Sequence, residues 1–268
     1  MYAESIDRFA KVGAHKAATI LTSPLAFFTG AAMAGAYIGF GDILMFTVGA
    51  HVAPAYAHLI MGAVFACALT IVVFAGSELF TGTAMYMPFA VFRGEAGAGS
   101  MLLVWITSWL GNLVGAVILA AILHAAGGGV LLTDGSDAFF KAVEAKMAAP
   151  ALQLFAKGIL CNWLVCLAIW MAARTTNDAA KLGLIFWPIL AFVASGFEHS
   201  VANMFAFALA LMADHPESIT FGGAVHNEVF VTLGNLVGGA VFMGFGYWIQ
   251  EGGIGHPSNA RAPSSSRA

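Results

Sequence analysis

Six stretches of this chain are long and apolar enough to cross a lipid bilayer, and that constrains any fold it can adopt. They cover residues 25–50, 58–91, 100–125, 152–173, 181–213 and 226–249. One helical crossing needs about 20 consecutive apolar residues. Hydrophobic residues make up 60% of the chain and charged residues 9%, against about 45–50% and about 25% in soluble domains. A chain of 268 residues has too little interior to hide so many apolar side chains, so its natural solvent is lipid. This excludes a soluble enzyme and a disordered protein. A net charge of −3 leaves no basic footprint for nucleic acid. Cys67, Cys161 and Cys166 lie in apolar runs without CxxC spacing and read as small packing residues.

Two of the stretches are longer than one crossing requires. The second is interrupted by Gly76-Ser77-Glu78-Leu79-Phe80-Thr81-Gly82-Thr83 and the fifth by Ser195-Gly196-Phe197-Glu198-His199-Ser200. Irregular backbone at membrane depth is tolerated only where it is buried in protein or lines a wet cavity. Paired interruptions in corresponding places point to a transport site. The correspondence has a second trace. Leu110-Gly111-Asn112-Leu113-Val114-Gly115 recurs 123 residues later as Leu233-Gly234-Asn235-Leu236-Val237-Gly238, and Glu78 and Glu198 are 120 apart. The expected architecture is all-α, with six transmembrane helices, the second and fifth broken, in two three-helix repeats over about 24–125 and 152–250.

With the N-terminus inside, Arg8, Lys11, Lys16, Arg93, Arg174, Lys181, Arg261 and Arg267 fall on the cytoplasmic side, and Lys141, Lys146 and Lys157 outside. The positive-inside rule then puts both termini in the cytoplasm. Repeats with an odd number of spans must be inverted relative to each other. Residues 1–23, with Ile6, Phe9, Ala10 and Gly13 on one side, suggest an interfacial amphipathic helix. Residues 251–268 are Gly-, Pro-, Ser- and Arg-rich and read as a disordered cytoplasmic tail. Residues 126–150 read as the one long loop between spans, on the outer side. Trp170, Trp187, Tyr247 and Trp248 fall at inner ends, where an aromatic belt is expected.

The residues that could carry chemistry are few. His199 lies deep in a span, where ionisable groups are costly and usually functional. A neutral imidazole donates one hydrogen bond and accepts another, and it can take up a proton when an anion arrives. Glu198 is expected to accept donors freed by the broken helix. Thr81 is a candidate partner for His199 across the pore. Asn112, Asn162, Asn203 and Asn235 are amides that can satisfy freed backbone groups. Lys146 and Lys141 could attract anions to an outer vestibule. Gly35/Gly39, Gly111/Gly115 and Gly234/Gly238 allow close helix packing. His199 has no second deep histidine to pair with across a haem, so no cofactor, metal or enzymatic activity is expected. A neutral-solute pore of the aquaporin or ammonia type suits the same features as an anion channel.

At these residues the chain resembles the formate/nitrite transporter family. The likeness is carried by Gly76–Gly82, Trp109–Gly115, Lys157–Trp170, Ala194–Met204, Val231–Asn235 and Ala32–Tyr37. It covers about residues 5–250. Ala149-Pro150-Ala151 and Phe242–Trp248 are similar to the family's bacterial nitrite channels. Thr83 departs from them, since a His is expected there. The resemblance implies an aquaporin-like protomer in a homopentamer of the bacterial inner membrane, each protomer with its own pore. It implies that His199 is the central pore histidine, that Lys146 is the vestibule lysine and that Thr81 belongs to a mobile loop. It further implies that Phe65, Leu69, Leu79 and Phe192 form two apolar constrictions, and that Asn162, Asn203 and Asn235 lie near the pore. Nitrite is the expected substrate, with formate or hydrosulfide as alternatives.

Overall fold

The computed structural model describes residues 2–253, which are helical with no strand among them. The expected tail falls outside the described residues from 254 on. The first helix, α1 (Ala3–Thr22), buries Ile6, Phe9, Ala10, Gly13, Ala17 and Ile20, a stripe at three- and four-residue spacing. Ser23 separates it from α2 (Pro24–Gly49), which begins on proline, where the missing N–H has no helical partner to lose. There follow α3 (Pro54–Ala75), α4 (Phe80–Phe92) and α5 (Ala98–Ala125). After a 3-10 turn, Gly129–Leu132, come α6 (Ser136–Ala148), α7 (Ala151–Ala172), α8 (Asp178–Ala194) and α9 (Ser200–Met212). The helix α10 (Phe221–Val237) continues through a π-helical segment, Gly238–Phe245, into α11 (Gly246–Gln250).

Among the described residues, five helical segments are long and apolar enough to cross a membrane: Pro24–Gly49, Pro54–Ala75, Ala98–Ala125, Ala151–Ala172 and Phe221–Gln250. The apolar run 181–213 divides into α8 and α9, of 17 and 13 residues. Large apolar side chains such as Ile106, Ile118, Ile122, Leu233 and Val229 are exposed. Patches of that kind suit lipid or another protein surface better than water.

Backbone meets backbone at two helix pairs. A Cβ built on Gly115 would lie 1.7 Å from the Ala32 carbonyl oxygen, and one on Gly35 1.9 Å from that of Asn112. In the other half, Gly234 would meet the Phe155 carbonyl oxygen at 2.2 Å and Gly238 that of Ile159 at 2.4 Å. The small residues thus press α2 against α5, and α7 against α10 and the π-helical segment that continues it, an approach any side chain would block.

Two expectations are corrected. The segment 126–150 is no loop, because α6 occupies half of it. Phe139, Val143 and Met147, four residues apart, form a buried stripe on a helix that is otherwise polar. Trp170 does not belong to an aromatic belt. It is buried, stacked on Tyr247 at 4.2 Å and on Phe9 at 5.5 Å between ring centroids. The α1 helix covers what would otherwise be an exposed C-terminal end of α7.

Candidate functional site

The site is built where α3 gives way to α4 and α8 to α9. Gly76 caps α3 with φ 73° and Gly196 follows α8 with φ 69°, a left-handed conformation that glycine adopts without steric penalty. Beyond each glycine the chain must satisfy backbone groups that no longer have helical partners. One asparagine meets this need on each side. Asn112 Nδ2 donates to the carbonyls of Ala31 at 2.8 Å and Glu78 at 3.0 Å, and its Oδ1 accepts from the Phe80 N–H at 2.9 Å. Asn235 Nδ2 donates to the carbonyls of Gly158 at 2.8 Å and Glu198 at 3.0 Å, and its Oδ1 accepts from the Ser200 N–H at 3.0 Å. The carboxylates are matched too. Lys16 of α1 pairs with Glu78, and Lys146 of α6 pairs with Glu198 at 2.8 Å. Glu198 Oε2 also accepts from Asn203 Nδ2 at 2.8 Å.

His199 stands at the junction. As the N-cap of α9 its Nδ1 accepts from the Ala202 N–H at 3.2 Å, and its Nε2 lies 3.2 Å from Thr81 Oγ1. A ring nitrogen that accepts carries no proton, so the neutral ring holds its hydrogen on Nε2. His199 therefore presents an N–H donor toward Thr81. Thr81 is held from behind, since its carbonyl accepts from Asn162 Nδ2 at 3.1 Å and from Cys166 Sγ at 3.3 Å.

Two cavities approach this junction. The larger, about 620 Å³, is lined by His199, Glu198, Asn203, Lys141, Lys146 and Lys157 together with Asp42, Phe65 and Phe192 among others. The smaller, about 380 Å³, is lined by Leu79, Gly82, Tyr86, Arg8, Asp178 and Lys181 among others. Phe65 and Phe192 meet edge to face at 5.9 Å between centroids, and Phe192 stacks 6.1 Å from the His199 ring. Leu69 and Thr81 are buried and enter neither lining, as are Asn162 and Asn235. These two amides hold backbone instead of facing either cavity. Thr83, the departure noted above, is also buried away from both linings and donates to the Phe80 carbonyl at 2.7 Å.

Lys146 is not a free loop charge. It is committed to Glu198, an interaction that spans 52 residues and needs the helical α6 to form. Sequence reasoning also passed over Lys16 and Asp42. Asp42 was visible in principle, since it is the one charged residue within 25–50 and an ionisable group in a span is a functional candidate by default. Lys16 gave no such signal, because its partner is 62 residues away. Among the described residues no cluster of side chains suits a metal ion.

Residues 3–249 match the formate/nitrite transporter family. This chain belongs to that family. Over 248 residues it is 50% identical to the nitrite transporter NirC of Escherichia coli (strain K12), covering 92% of both chains. Its fold is similar to that of a solved FNT family ion channel, with a TM-score of 0.89 and 48% identity over 92% of this chain and 98% of that one. It is also similar to a pentameric formate channel with formate bound, with a TM-score of 0.72 and 30% identity over 84% of this chain and 96% of the other. Family relatives are thus named for transport and conduction.

Proposed function

We propose that this chain is the protomer of an inner-membrane channel for small monovalent anions, nitrite first. Its fold is then an aquaporin-like bundle of six transmembrane helices. The second is α3 with α4 and the fifth α8 with α9, both broken, and the two halves form inverted repeats. Five such protomers assemble into a pentamer, and both termini face the cytoplasm. The observation that carries the reading is the His199–Thr81 contact at 3.2 Å, set between two cavities. The matched bonds of Asn112 and Asn235 support the repeat, and the likeness to a pentameric channel supports the assembly.

The mechanism follows from the geometry. Lys146, with Lys141 and Lys157, makes the larger cavity attractive to anions, although Glu198 offsets part of that charge. Phe65 and Phe192 in the wall of the larger cavity and Leu79 in that of the smaller form apolar constrictions; Leu69, expected among them, is buried and lies in neither wall. A bare ion there loses its water at a cost far above that of a neutral polar group. The Nε2–H of His199 replaces part of the lost hydration by donating to the anion, and Thr81 supplies a hydroxyl beside it. Donors to a charged acceptor are about twice as strong as neutral pairs. Asn203 Nδ2 and the Lys146 ammonium both bond Glu198 Oε2, which neutralises part of the carboxylate's repulsion of the anion in the same cavity.

Formate is the second reading, favoured by the likeness to a channel with formate bound. Flux of nitrite and formate into liposomes containing the purified protein, at two pH values, tests the assignment. Nitrite influx above that of empty liposomes and faster than formate is expected. Formate winning would change the substrate. Neither moving would overturn the nitrite and formate assignments and turn attention to hydrosulfide or neutral solutes.

A further inference from the structure

Asp42 sits on α2 among Ile38, Met45 and Phe46, in the wall of the larger cavity. It is 1% exposed, and its Oδ2 has no hydrogen-bond partner among the described residues. The nearby ammonium of Lys146 is already bonded to Glu198. A buried carboxyl group with one unpartnered oxygen thus stands in the wall of the space through which an anion is proposed to pass. We propose that Asp42 is a proton-operated filter of that space: protonated, it donates from Oδ2 to the anion, and charged, it turns anions away.

The chemistry of the oxygen argues for this. A buried polar atom without a partner is costly, and the cost is removed by any ligand that completes its bonding. A carboxylate oxygen can only accept, so in that form it has nothing to offer nitrite or formate and repels both. In the acid form the same oxygen is a donor, and the oxygen of a small anion is its natural acceptor. Only a hydrogen bond is made, so the proton stays on Asp42 and the anion crosses as an anion.

The other titratable and charged groups around this cavity are His58 on α3, Lys141 and Lys146 on α6, Lys157 on α7, and Glu198 and His199 between α8 and α9. Cys67 on α3 lies within electrostatic reach of Asp42. The helices α1 and α5, which also pack on α2, contribute no side chain to the lining. Several of these groups titrate, so the wild-type pH profile alone cannot identify Asp42. The difference between wild type and variant can.

The inference rests on the anion pathway proposed above, and its test has two readouts. First, nitrite influx into liposomes is followed at fixed ionic strength, from mildly acidic to mildly alkaline pH, for wild type, Asp42→Asn and Asp42→Leu. The Asn variant mimics the neutral acid. It should exceed wild type at least about tenfold at alkaline pH, because a carboxylate within hydrogen-bonding reach repels an anion strongly even at an effective dielectric of about 20. It should converge with wild type at acidic pH. The Leu variant, uncharged but without a donor, should exceed wild type at alkaline pH and fall below it at acidic pH. It also fits the apolar wall, should the Asn variant fail to fold. The same pattern is expected in a His58→Gln background. Profiles for both variants that run parallel to wild type would overturn the filter. Second, infrared difference spectra are taken in detergent on adding nitrite in place of gluconate. Wild type should show a shifted protonated-carboxyl band that both variants lack. If no protein conducts nitrite or formate, the channel reading fails on flux alone. The band then decides for Asp42, and its absence from wild type overturns the inference.

Discussion

Asn112 and Asn235 make the same three hydrogen bonds 123 residues apart, each binding the carbonyl of a glutamate and the N–H two residues beyond it. Each also reaches a carbonyl on a neighbouring helix, Ala31 for one and Gly158 for the other. Both side chains are fully buried. Truncating either leaves several backbone groups without partners, at about 1–3 kcal/mol for each group left unsatisfied. Asn112→Ala and Asn235→Ala should therefore each lower the unfolding midpoint in detergent markedly and by similar amounts. If one variant were as stable as wild type, the two breaks would not be supported in the same way.

His199 has two roles that one substitution can separate. Its Nδ1 caps α9, and its Nε2 faces Thr81. Asparagine is among the best N-cap residues, so His199→Asn should keep the cap while removing the Nε2–H donor. The Asn variant should be more stable than His199→Ala by the worth of the retained cap, about 0.5–2 kcal/mol. Nitrite flux should fall by roughly ten- to a hundredfold, the worth of one hydrogen bond to a charged group. His199→Ala should lose both. Wild-type flux in the Asn variant would remove His199 from the anion pathway.

What could be read from residues alone depended on whether a signal was local. Glu78, Glu198 and His199 stand out because a polar residue inside an apolar run has nowhere to hide, and the repeated Leu-Gly-Asn-Leu-Val-Gly needs no structure to be seen. Asp42 obeys the same rule but sits in an unbroken helix, with no hydroxyls or glycine turn to draw attention to it. The pairing of Lys146 with Glu198 was not legible, since it depends on where α6 docks. The helix α6 was itself obscured by Asp137, Lys141, Glu144 and Lys146, whose charges mask the spacing of Phe139, Val143 and Met147. Trp170 could not be told from a belt residue without knowing that α1 folds over it.

Lys146 and Glu198 should behave as a unit. The Glu198 side chain is 7% exposed and that of Lys146 22%. Removing one partner of a buried pair costs about 3–5 kcal/mol, because the remaining charge is stranded, whereas neutralising both costs far less. Lys146→Met should destabilise the protein strongly, and the double variant with Glu198→Gln should recover most of the loss. A double-mutant cycle on unfolding in detergent reads the coupling directly. Flux at low nitrite should stay reduced in the stable double variant, more so at low ionic strength, where steering is least screened. Uptake at the wild-type level in that variant would confine Lys146 to a structural role.

The glycines on α5 offer a test of the packing with an internal control. Gly115 lies where a methyl group would sit 1.7 Å from the Ala32 carbonyl oxygen, which belongs to backbone and cannot move aside. Gly99, in the first turn of the same helix, has nothing within 4 Å of its added Cβ. Alanine favours a helix over glycine by about 0.8–1 kcal/mol, so Gly99→Ala should be neutral or slightly stabilising. Gly115→Ala must push α2 and α5 apart. That would disturb Asn112 one turn earlier, and with it the bond that holds the Phe80 N–H at the start of α4. Little folded Gly115→Ala protein should survive extraction, and any that does should conduct poorly. A Gly115→Ala protein as stable and conductive as Gly99→Ala would mean that the close approach of α2 to α5 is not needed to position Thr81.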